Sequence, residues 1–416
     1  MGAGGRARYA AAVRPPRPAR PRPLARRLLT VGALAAAAAV VAFVTVVAPV
    51  VDRRMNAVVG PPLPAPAPAA AAAHGRLTVV DLHADVLLWP RDLLARADHG
   101  HVDLPRLAEG NVALQVFSAV TRTPRGLNYL RNDSTSDNVT LLAVAERWPP
   151  ATWRSLRARA LHQAAVLEAA AARSDGRLVV VRTRRDLDAL LARRAAAATP
   201  AARPVGALLA LEGAHPLEGR LENLDTLFAA GYRMVGLTHF FDNEVAGSSA
   251  GVRRHGLTAL GRRVVRRAEA LGMAVDLAHA SPQTVDDVLA MAARPVVVSH
   301  TGVAALCPSP RNLTDDQLRR VAATGGVVGI GYWDGALCAD LSPAAVARAV
   351  RHAVDVAGAE HVALGSDFDG ATHTRFDAAG LARVTAALAE AGLDSAAVAA
   401  VAGGNAVRVL RATLPP

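Results

Sequence analysis

Short apolar runs in this sequence repeatedly end on a histidine or a carboxylate. The first run ends in Asp81-Leu82-His83-Ala84-Asp85, and later runs end at Glu212, His239, His279, His300 and Asp367. Imidazole and carboxylate groups are ligands of catalytic zinc, which keeps one coordination position open for water. An ion in such a site lowers the pKa of its bound water to about 7 and makes that water a nucleophile. The pattern therefore predicts a hydrolase with a metal centre.

The candidate ligands are too many for a single ion. His83 and Asp85 lie two residues apart, so a strand would turn both to one side. Together with Glu212, His279 and His300 they make five ligands, whereas one tetrahedral zinc takes four. Five ligands that include a bridging carboxylate suit two ions about 3.5–4 Å apart. The donor set favours zinc, with manganese or cobalt as alternatives.

The composition limits which group can bridge two ions. The chain contains no lysine, so arginine supplies all 47 of its basic side chains. A carboxylated lysine therefore cannot be the bridge. Glu212, at the end of an apolar run, is the candidate for that role.

Three more residues would complete a hydrolytic site. Asp367 closes the last apolar run and is the candidate for transferring a proton, with Asp369 as its rival. His239 is suited to hydrogen-bond a developing oxyanion. Arg311 follows the His300 run, and its guanidinium can pair with a substrate carboxylate through two parallel hydrogen bonds. An ordinary surface salt bridge is the alternative for Arg311.

The runs that carry these residues alternate with amphipathic segments of helical periodicity. The strand candidates are Leu77–Val86, Val112–Val120, Val205–Glu212, Met234–His239, Ala274–His279, Val296–His300, Gly326–Tyr332 and Val362–Asp367. Most are almost continuously apolar, which is typical of parallel strands buried on both faces. Eight strands with intervening helices favour an α/β fold of the (β/α)8 TIM-type barrel class, whose C-terminal strand ends form one active-site face. An extra helix and a short strand around Val144–Val181 are predicted as an excursion.

A doubly wound open sheet is the alternative fold. That fold would place a Gly-rich phosphate-binding turn directly after the first strand. The chain reads His83-Ala84-Asp85-Val86 at that point, which favours the barrel.

The N-terminal region predicts a membrane anchor. Residues 1–27 hold eight arginines and no acid, and the 24 residues of 28–51 carry no charge. A helix of that length spans a hydrocarbon core of about 30 Å. The arginines predict that residues 1–27 are a cytoplasmic tail, that 28–51 are a single-pass signal-anchor, and that the remainder is extracytoplasmic. A cleaved signal, which would yield a secreted protein, is the alternative.

The rest of the chain divides into a connecting segment and one large domain. Residues 52–74 are rich in proline and alanine and are interpreted as a linker. Residues 75–416 are interpreted as the catalytic barrel. The net charge of +12 arises largely in the tail, so it gives no support for a nucleic-acid partner.

The chain has two cysteines, Cys307 and Cys338. A lone pair of cysteines in an exported domain can form one disulfide bond. Two independent buried thiols are the alternative that the residues leave open.

Taken in order, the motifs resemble the membrane (renal) dipeptidase family, peptidase family M19, and its bacterial members in particular. The matching stretches are residues 81–85, 102–107, 211–213, 236–239, 275–279, 295–300, 311–316 and 365–370, with Gly404-Asn405-Ala406 near the end. The resemblance covers roughly residues 75–412. It implies an amidohydrolase-like metallohydrolase barrel that cleaves free dipeptides through a hydroxide bridging two zinc ions.

The resemblance also implies a role for each candidate residue. His83 and Asp85 would hold one zinc ion, His279 and His300 would hold the other, and Glu212 would bridge the two. His239 would stabilise the tetrahedral intermediate, Arg311 would bind the substrate carboxylate, and Asp367 would pass a proton to the leaving amine. Cys307 and Cys338 resemble a family disulfide between neighbouring barrel loops. Some tolerance of a D-residue on the leaving side is expected.

Several alternatives stay open at the level of the sequence. An N-acyl-amino-acid or lactone hydrolase could use the same binuclear site, and an exported barrel that only binds its ligand is a further reading. Mammalian members carry a tyrosine in the loop after the seventh strand, and no tyrosine falls at the corresponding place in Tyr332–Cys338. The sequence therefore does not indicate which dipeptide is preferred. The expected partners are dipeptides and a membrane through residues 28–51, and a homodimer is one open assembly state.

Overall fold

The computed structural model describes Met1 and residues 23–416. They form two compact units, Met1–Phe43 and Val44–Pro416. Residues 2–22, most of the predicted cytoplasmic tail, lie outside the described part. Among the described residues, one helical stretch, Arg26–Met55, is long and apolar enough to cross a membrane, and its most apolar 18-residue segment has a mean hydropathy of 2.6. A signal sequence near an N-terminus meets the same criterion, so the membrane anchor stays a prediction.

The second unit is built on nine strands. They are β1 (Val79–Ala84), β2 (Val112–Val120), β3 (Leu178–Val180), β4 (Val205–Glu212), β5 (Tyr232–Gly236), β6 (Ala274–Asp276), β7 (Val297–Thr301), β8 (Val327–Ile330) and β9 (Val362–Leu364). All pairs are parallel, in the order β2-β1-β9-β8-β7-β6-β5-β4-β3. Strand β2 also pairs with β4, which closes eight strands into a barrel and leaves β3 outside the ring. The predicted (β/α)8 barrel is therefore confirmed.

The described helices lie before, between and after these strands. The α-helices are α1 (Pro23–Ala42), α2 (Ala48–Met55), α3 (Pro68–His74), α4 (Leu104–Glu109), α5 (Val139–Ala145), α6 (Leu156–Arg173), α7 (Arg184–Ala195), α8 (Glu222–Ala229), α9 (Ala259–Leu271), α10 (Pro282–Leu289), α11 (Asp315–Ala323), α12 (Asp334–Leu337), α13 (Pro343–Ala357), α14 (Leu381–Glu390), α15 (Ser395–Ala399) and α16 (Asn405–Thr413). Two π-helical turns, Phe43–Val47 and Ala400–Gly404, join α1 to α2 and α15 to α16.

Burial explains the composition of the strands. Every residue of the eight barrel strands is buried, as the continuous apolar runs indicate. The short β3 is only partly buried and lies in the predicted excursion. Strands β2 and β4 pair from Leu114–Gly206 to Val120–Glu212. That register brings the carboxylate of Glu212 to the C-terminal end of the barrel.

Local sequence signals set the helix ends. The Ser281 and Ser342 side chains accept hydrogen bonds from the backbone at the starts of α10 and α13, and each is followed by proline. Helix α9 ends at Gly272, whose φ of +77° lies in the left-handed region that favours glycine.

The segment that the sequence predicts as a linker belongs to the second unit and contacts the rest of it at several points. Residues 52–74 contain the end of α2 and all of α3. Val58 forms a bridge with Thr374. His74 is buried, and its ring nitrogens lie 3.0 Å from the Thr385 hydroxyl and 2.9 Å from the Gly110 carbonyl oxygen.

Candidate metal centre

The strand-end residues converge on one carboxylate oxygen at the C-terminal end of the barrel. The Oε1 atom of Glu212 lies 3.1 Å from Nε2 of His279, 3.3 Å from Nε2 of His239, and 3.5 Å from Nε2 of both His83 and His300. All five side chains are buried. Four different strands thus place an imidazole nitrogen around a single oxygen atom.

Two further carboxylates lie on one side of this cluster. His83 Nε2 is 3.4 Å from Asp85 Oδ1 and 3.9 Å from Asp367 Oδ1. The potential ligand atoms form three overlapping groups, each close enough to share an ion. The groups are His83, Glu212 and His300; Glu212, His239 and His279; and His83, Asp85 and Asp367. The shared members join all seven residues into one site.

The donor set fits divalent ions. The Nε2 atoms of His279 and His300 face each other at 3.1 Å, and a neutral imidazole protonated at Nδ1 offers its Nε2 lone pair to a cation. Three buried atoms, His83 Nε2, Asp85 Oδ1 and Glu212 Oε2, have no hydrogen-bond partner among the described residues. Such orphaned groups are costly to bury. Bound metal would satisfy them, and imidazole with carboxylate is the donor set of zinc hydrolases.

The pKa shifts of the metal-free side chains are also consistent with a cation site. Burial alone would raise the pKa of Glu212, but the neighbouring His239 and His83 hold that pKa well below its usual range. Burial alone would lower the pKa of His83, but the carboxylates of Asp85 and Glu212 raise it well above its usual range. Burial holds the pKa of His279 well below its ordinary value, so its ring is neutral and available as a ligand.

The carboxyl groups of Asp85 and Asp367 retain protons more readily than ordinary aspartates. Burial and the charge of Glu212 raise the pKa of Asp85 to about 7. Burial raises the pKa of Asp367 well above its usual range, and the charges of Asp85 and Glu212 add to this effect. A divalent cation among these groups would favour their ionised forms.

The backbone after the strands turns these side chains into the site. His279 and Asp367 follow β6 and β9, with φ values of +62° and +60°. Such left-handed conformations are rare for residues with a Cβ and mark functional turns. At Gly370 a Cβ would lie 2.1 Å from Asp367 Oδ1 and 3.0 Å from Asp85 Oδ2. This close approach of backbone to the two carboxylates requires glycine.

The structure separates Asp367 from its rival Asp369. Both Asp369 carboxylate oxygens accept backbone hydrogen bonds, from His101 at 2.8 Å and Val102 at 3.0 Å. Arg91 also lies 2.8 Å from Asp369. Asp369 therefore holds the loop, whereas Asp367 faces the cluster.

The strand-end pattern assigns no role to a layer of polar residues beside the cluster. Ser299 donates to Asp276 at 2.6 Å, and its hydroxyl lies 2.9 Å from Nδ1 of His300. Asp81 accepts hydrogen bonds from the Ser366 amide at 2.8 Å and the Ser366 hydroxyl at 2.6 Å. Such partners fix the orientation of ligand side chains. Their position one to three residues before a strand-end ligand is the signal that could have identified them.

Arg311 lies beside the cluster in the loop after β7. It is 4% exposed, it donates to the His300 carbonyl oxygen at 2.9 Å, and its guanidinium carbon lies 5.5 Å from the Trp333 ring centre. No carboxylate of the described chain lies within 4.0 Å of its guanidinium. The alternative of a surface salt bridge is therefore wrong.

The loops that carry Arg311 and Trp333 are tied together covalently. Cys307 and Cys338 form a disulfide bond with an S–S distance of 2.01 Å, so the predicted pair is confirmed. The Asn312 side chain also bridges these loops, donating to the carbonyl oxygens of Cys307 at 2.8 Å and Gly335 at 3.0 Å.

Tyr129 is a further residue near the site that the strand pattern does not identify. Its ring centre lies 6.1 Å from that of Phe240, and burial with the charge of Asp367 raises the pKa of its hydroxyl. Tyr129 belongs to the long loop between β2 and α5, away from any strand end, so only the folded chain brings it here.

Known proteins match this chain in sequence and in fold. The sequence profile of a family described as membrane dipeptidase (peptidase family M19) matches residues 69–414. The chain is 31% identical over 320 residues to the dipeptidase verJ of Clonostachys rogersoniana, covering 74% of this chain and 75% of that relative. It is 34% identical over 215 residues to the dipeptidase aclJ of Aspergillus oryzae, covering 50% of this chain and about half (51%) of that relative.

The fold gives a similar match. A metallopeptidase from Rhodobacter sphaeroides, solved with a phosphinate mimic of the dipeptide L-Ala-D-Ala, matches with a TM-score of 0.64 and 27% sequence identity. The match covers 81% of this chain and 99% of that one.

Proposed function

Because the chain belongs to the membrane dipeptidase family (peptidase family M19), we propose that it is a zinc-dependent dipeptidase that hydrolyses the peptide bond of free dipeptides. This family membership agrees with the resemblance seen in the sequence motifs. The observation that carries the proposal is the position of Glu212 Oε1, which has the Nε2 atoms of four histidines within 3.1–3.5 Å. That geometry is suited to a metal-dependent hydrolase.

Five residues would hold two ions. His83 and Asp85 would ligate one, His279 and His300 would ligate the other, and Glu212 would bridge the two. Zinc suits these donors, and manganese or cobalt would also be accepted. Two such ions lower the pKa of a coordinated water and polarise the scissile carbonyl group.

Arg311 would recognise the substrate's C-terminal carboxylate. A buried guanidinium without a carboxylate partner is costly, and Arg311 is 4% exposed with no such partner in the described chain. An incoming carboxylate would supply the missing charge through paired hydrogen bonds. This interaction would restrict the substrate to a free carboxyl terminus close to the scissile bond.

His239 and Asp367 would act on the reacting amide. His239 lies 3.3 Å from Glu212 Oε1, and its ring nitrogen would hydrogen-bond the developing oxyanion. Asp367, whose Oδ1 atom lies 3.9 Å from His83 Nε2, would take up a proton and deliver it to the leaving amine. Deprotonated Asp367 would then be ready for the next substrate.

The proposed location is the outer face of a cell membrane. Residues 28–51 would be a single-pass anchor, residues 1–27 a cytoplasmic tail, residues 52–74 the connection and residues 75–416 the extracytoplasmic barrel. The Cys307–Cys338 disulfide supports an oxidising compartment. Secretion after cleavage of the N-terminal segment is the alternative.

A substrate panel tests the proposed function. The full chain, purified in detergent, would be incubated with L,L-dipeptides, L-Ala-D-Ala, a dipeptide amide, an N-acetylated amino acid and a lactone. Free amino acids should be released from both dipeptide types, and treatment with a chelator should abolish their release. L-Ala-D-Ala is included because a mimic of it binds the Rhodobacter relative. Turnover of the acylated amino acid or the lactone alone would contradict the proposal.

A further inference from the structure

Helix α2 contributes a buried carboxylate to the second unit. Asp52 is 0% exposed. One of its oxygens accepts a hydrogen bond from the Asn56 side chain at 2.8 Å, and the other lies 2.9 Å from Arg91 Nε and 3.0 Å from His99 Nε2. A carboxylate buried to this extent needs such partners. Asp52 is therefore an internal residue of the folded unit.

Arg91 connects this carboxylate to the loop after β9. Its Nε atom faces Asp52, and its Nη2 atom lies 2.8 Å from Oδ1 of Asp369, which is also 0% exposed. One guanidinium thus pairs with two buried carboxylates. Asp369 is two residues from Asp367, so the network links α2 with the loop that carries the proposed proton-transfer group.

That loop needs external support. Three of its residues, Asp367, Asp369 and Ala371, have φ values of +60°, +62° and +58°. Residues with a Cβ adopt this conformation only where the surroundings hold them in it. Asn56, directly after α2, is 0% exposed, and its Oδ1 atom accepts the Ala371 amide at 2.9 Å.

We propose that Asp52 and Asn56 are positioning residues for the hydrolytic site. They hold the strained loop 367–371 so that Asp367 faces the metal cluster, and the site is complete only when α2 is docked. This inference rests on the proposed function for the role of Asp367. It gives a positioning role to two residues directly after the predicted membrane span, where the sequence pattern predicts a linker.

Substitutions in the full chain, purified in detergent, test this role. Asn56→Ala removes the acceptor of the Ala371 amide but keeps both charges of the Asp52–Arg91 pair. Asp52→Asn weakens that pair itself. The control is Arg53→Ala on the same helix, whose partner is Asp98 and whose ion pair is at the surface, with side chains 55% and 72% exposed.

The kinetic readout separates positioning from general damage. Displacement of a reacting group by about 1 Å can cost up to 100-fold in rate, so N56A should lower kcat at least about tenfold. KM should change less than about twofold and the metal content should not change, because the ligands and Arg311 are untouched. R53A should keep both kinetic constants near those of the unaltered chain.

Hydrogen exchange gives a readout that does not depend on activity. Amides of residues 367–372 should exchange faster in N56A and D52N than in R53A. If N56A keeps the kcat and the loop protection of R53A, the inference is overturned. If the unaltered chain hydrolyses no dipeptide, the proposed function fails, whereas the exchange experiment still decides whether α2 holds the loop.

Discussion

The Nε2 atoms of His279 and His300 face each other at 3.1 Å, although His279 follows β6 and His300 belongs to β7. Burial holds the pKa of both imidazoles well below the usual range, so both rings are neutral and can offer a nitrogen lone pair to a cation. Glu212 Oε1 lies within 3.5 Å of both nitrogens. This geometry is suited to a shared cation.

Loss of the Ser299 hydroxyl should weaken metal binding without unfolding the chain. Ser299 orients His300 through a contact of 2.9 Å at Nδ1, and removal of such a partner typically costs about 10–100-fold in metal affinity. For Ser299→Ala we expect that loss in a competition titration against a chelating dye. The exposed Ser395, at the start of α15, provides the control variant Ser395→Ala. Equal affinities of the two variants would contradict the assigned role of Ser299.

Arg311→Ala should reduce hydrolysis mainly through KM. Loss of a charge-assisted pair costs about 2–4 kcal/mol, which corresponds to roughly 30–1000-fold in kcat/KM for dipeptides with a free carboxylate. A dipeptide amide should be a poor substrate of the unaltered enzyme, and R311A should lower its turnover little further. Arg319→Ala, on the exposed face of α11, is the matched control. An equal loss for the dipeptide and its amide would exclude carboxylate recognition.

Opening the disulfide should loosen the substrate side of the site. Cys307 and Cys338 close a segment with a sequence separation of 31, for which chain entropy predicts a contribution of about 3–4 kcal/mol to stability. The double variant Cys307→Ala, Cys338→Ala should therefore unfold at a lower temperature. Its KM should rise because Arg311 and Trp333 lie in the joined loops. A lowered unfolding temperature with an unchanged KM would show that the disulfide stabilises the fold and would contradict its predicted effect on substrate binding.

Glu146 predicts a pH-dependent loss of stability. Burial raises its pKa from 4.5 to about 8 in the folded chain, against a hydrogen bond from Trp148 that lowers it. The pKa of Glu146 is higher in the folded chain than in the unfolded chain. Its contribution to the free energy of unfolding is therefore complete below about pH 4.5 and is lost as the pH rises through about 8. Glu146→Gln should therefore gain stability relative to the unaltered chain between these values, by a few kcal/mol at most. Denaturant unfolding at pH 5 and pH 8.5 measures this difference, and an equal difference at both values would contradict the assignment.

The sequence predicts the barrel and its strand ends well because parallel strands deliver their C-terminal residues to one face. His83, Glu212, His279 and His300 were predictable because each follows a continuous apolar run. The proximity of His239 to Glu212 was not predictable in the same way. At 3.3 Å, His239 is as close to that carboxylate as the predicted ligands are, and only the packing of the loops after the strands sets this distance.

The packing of α2 within the second unit could not be predicted, because its apolar residues have the composition of a membrane span. Ala48 and Val51 belong to an uninterrupted apolar run that has the length of a membrane span, and Asp52 reads as the first charged residue of a linker. In the folded chain Ala48 is 2% exposed and Asp52 is paired with Arg91. A membrane-facing residue and a core residue have the same apolar signature, so only tertiary partners distinguish them.

Titration of metal into the metal-free full chain, with dipeptide hydrolysis measured at each step, tests the central claim most directly. Hydrolysis should be absent without metal, rise as zinc is added and reach its maximum at two ions per chain. Glu212→Gln should not reach that activity at any zinc concentration, whereas Glu222→Gln, an exposed change on α8, should follow the unaltered chain. An unaltered chain that binds two zinc ions and releases no amino acid from any dipeptide, or a Glu212→Gln variant that retains full activity, would contradict the account.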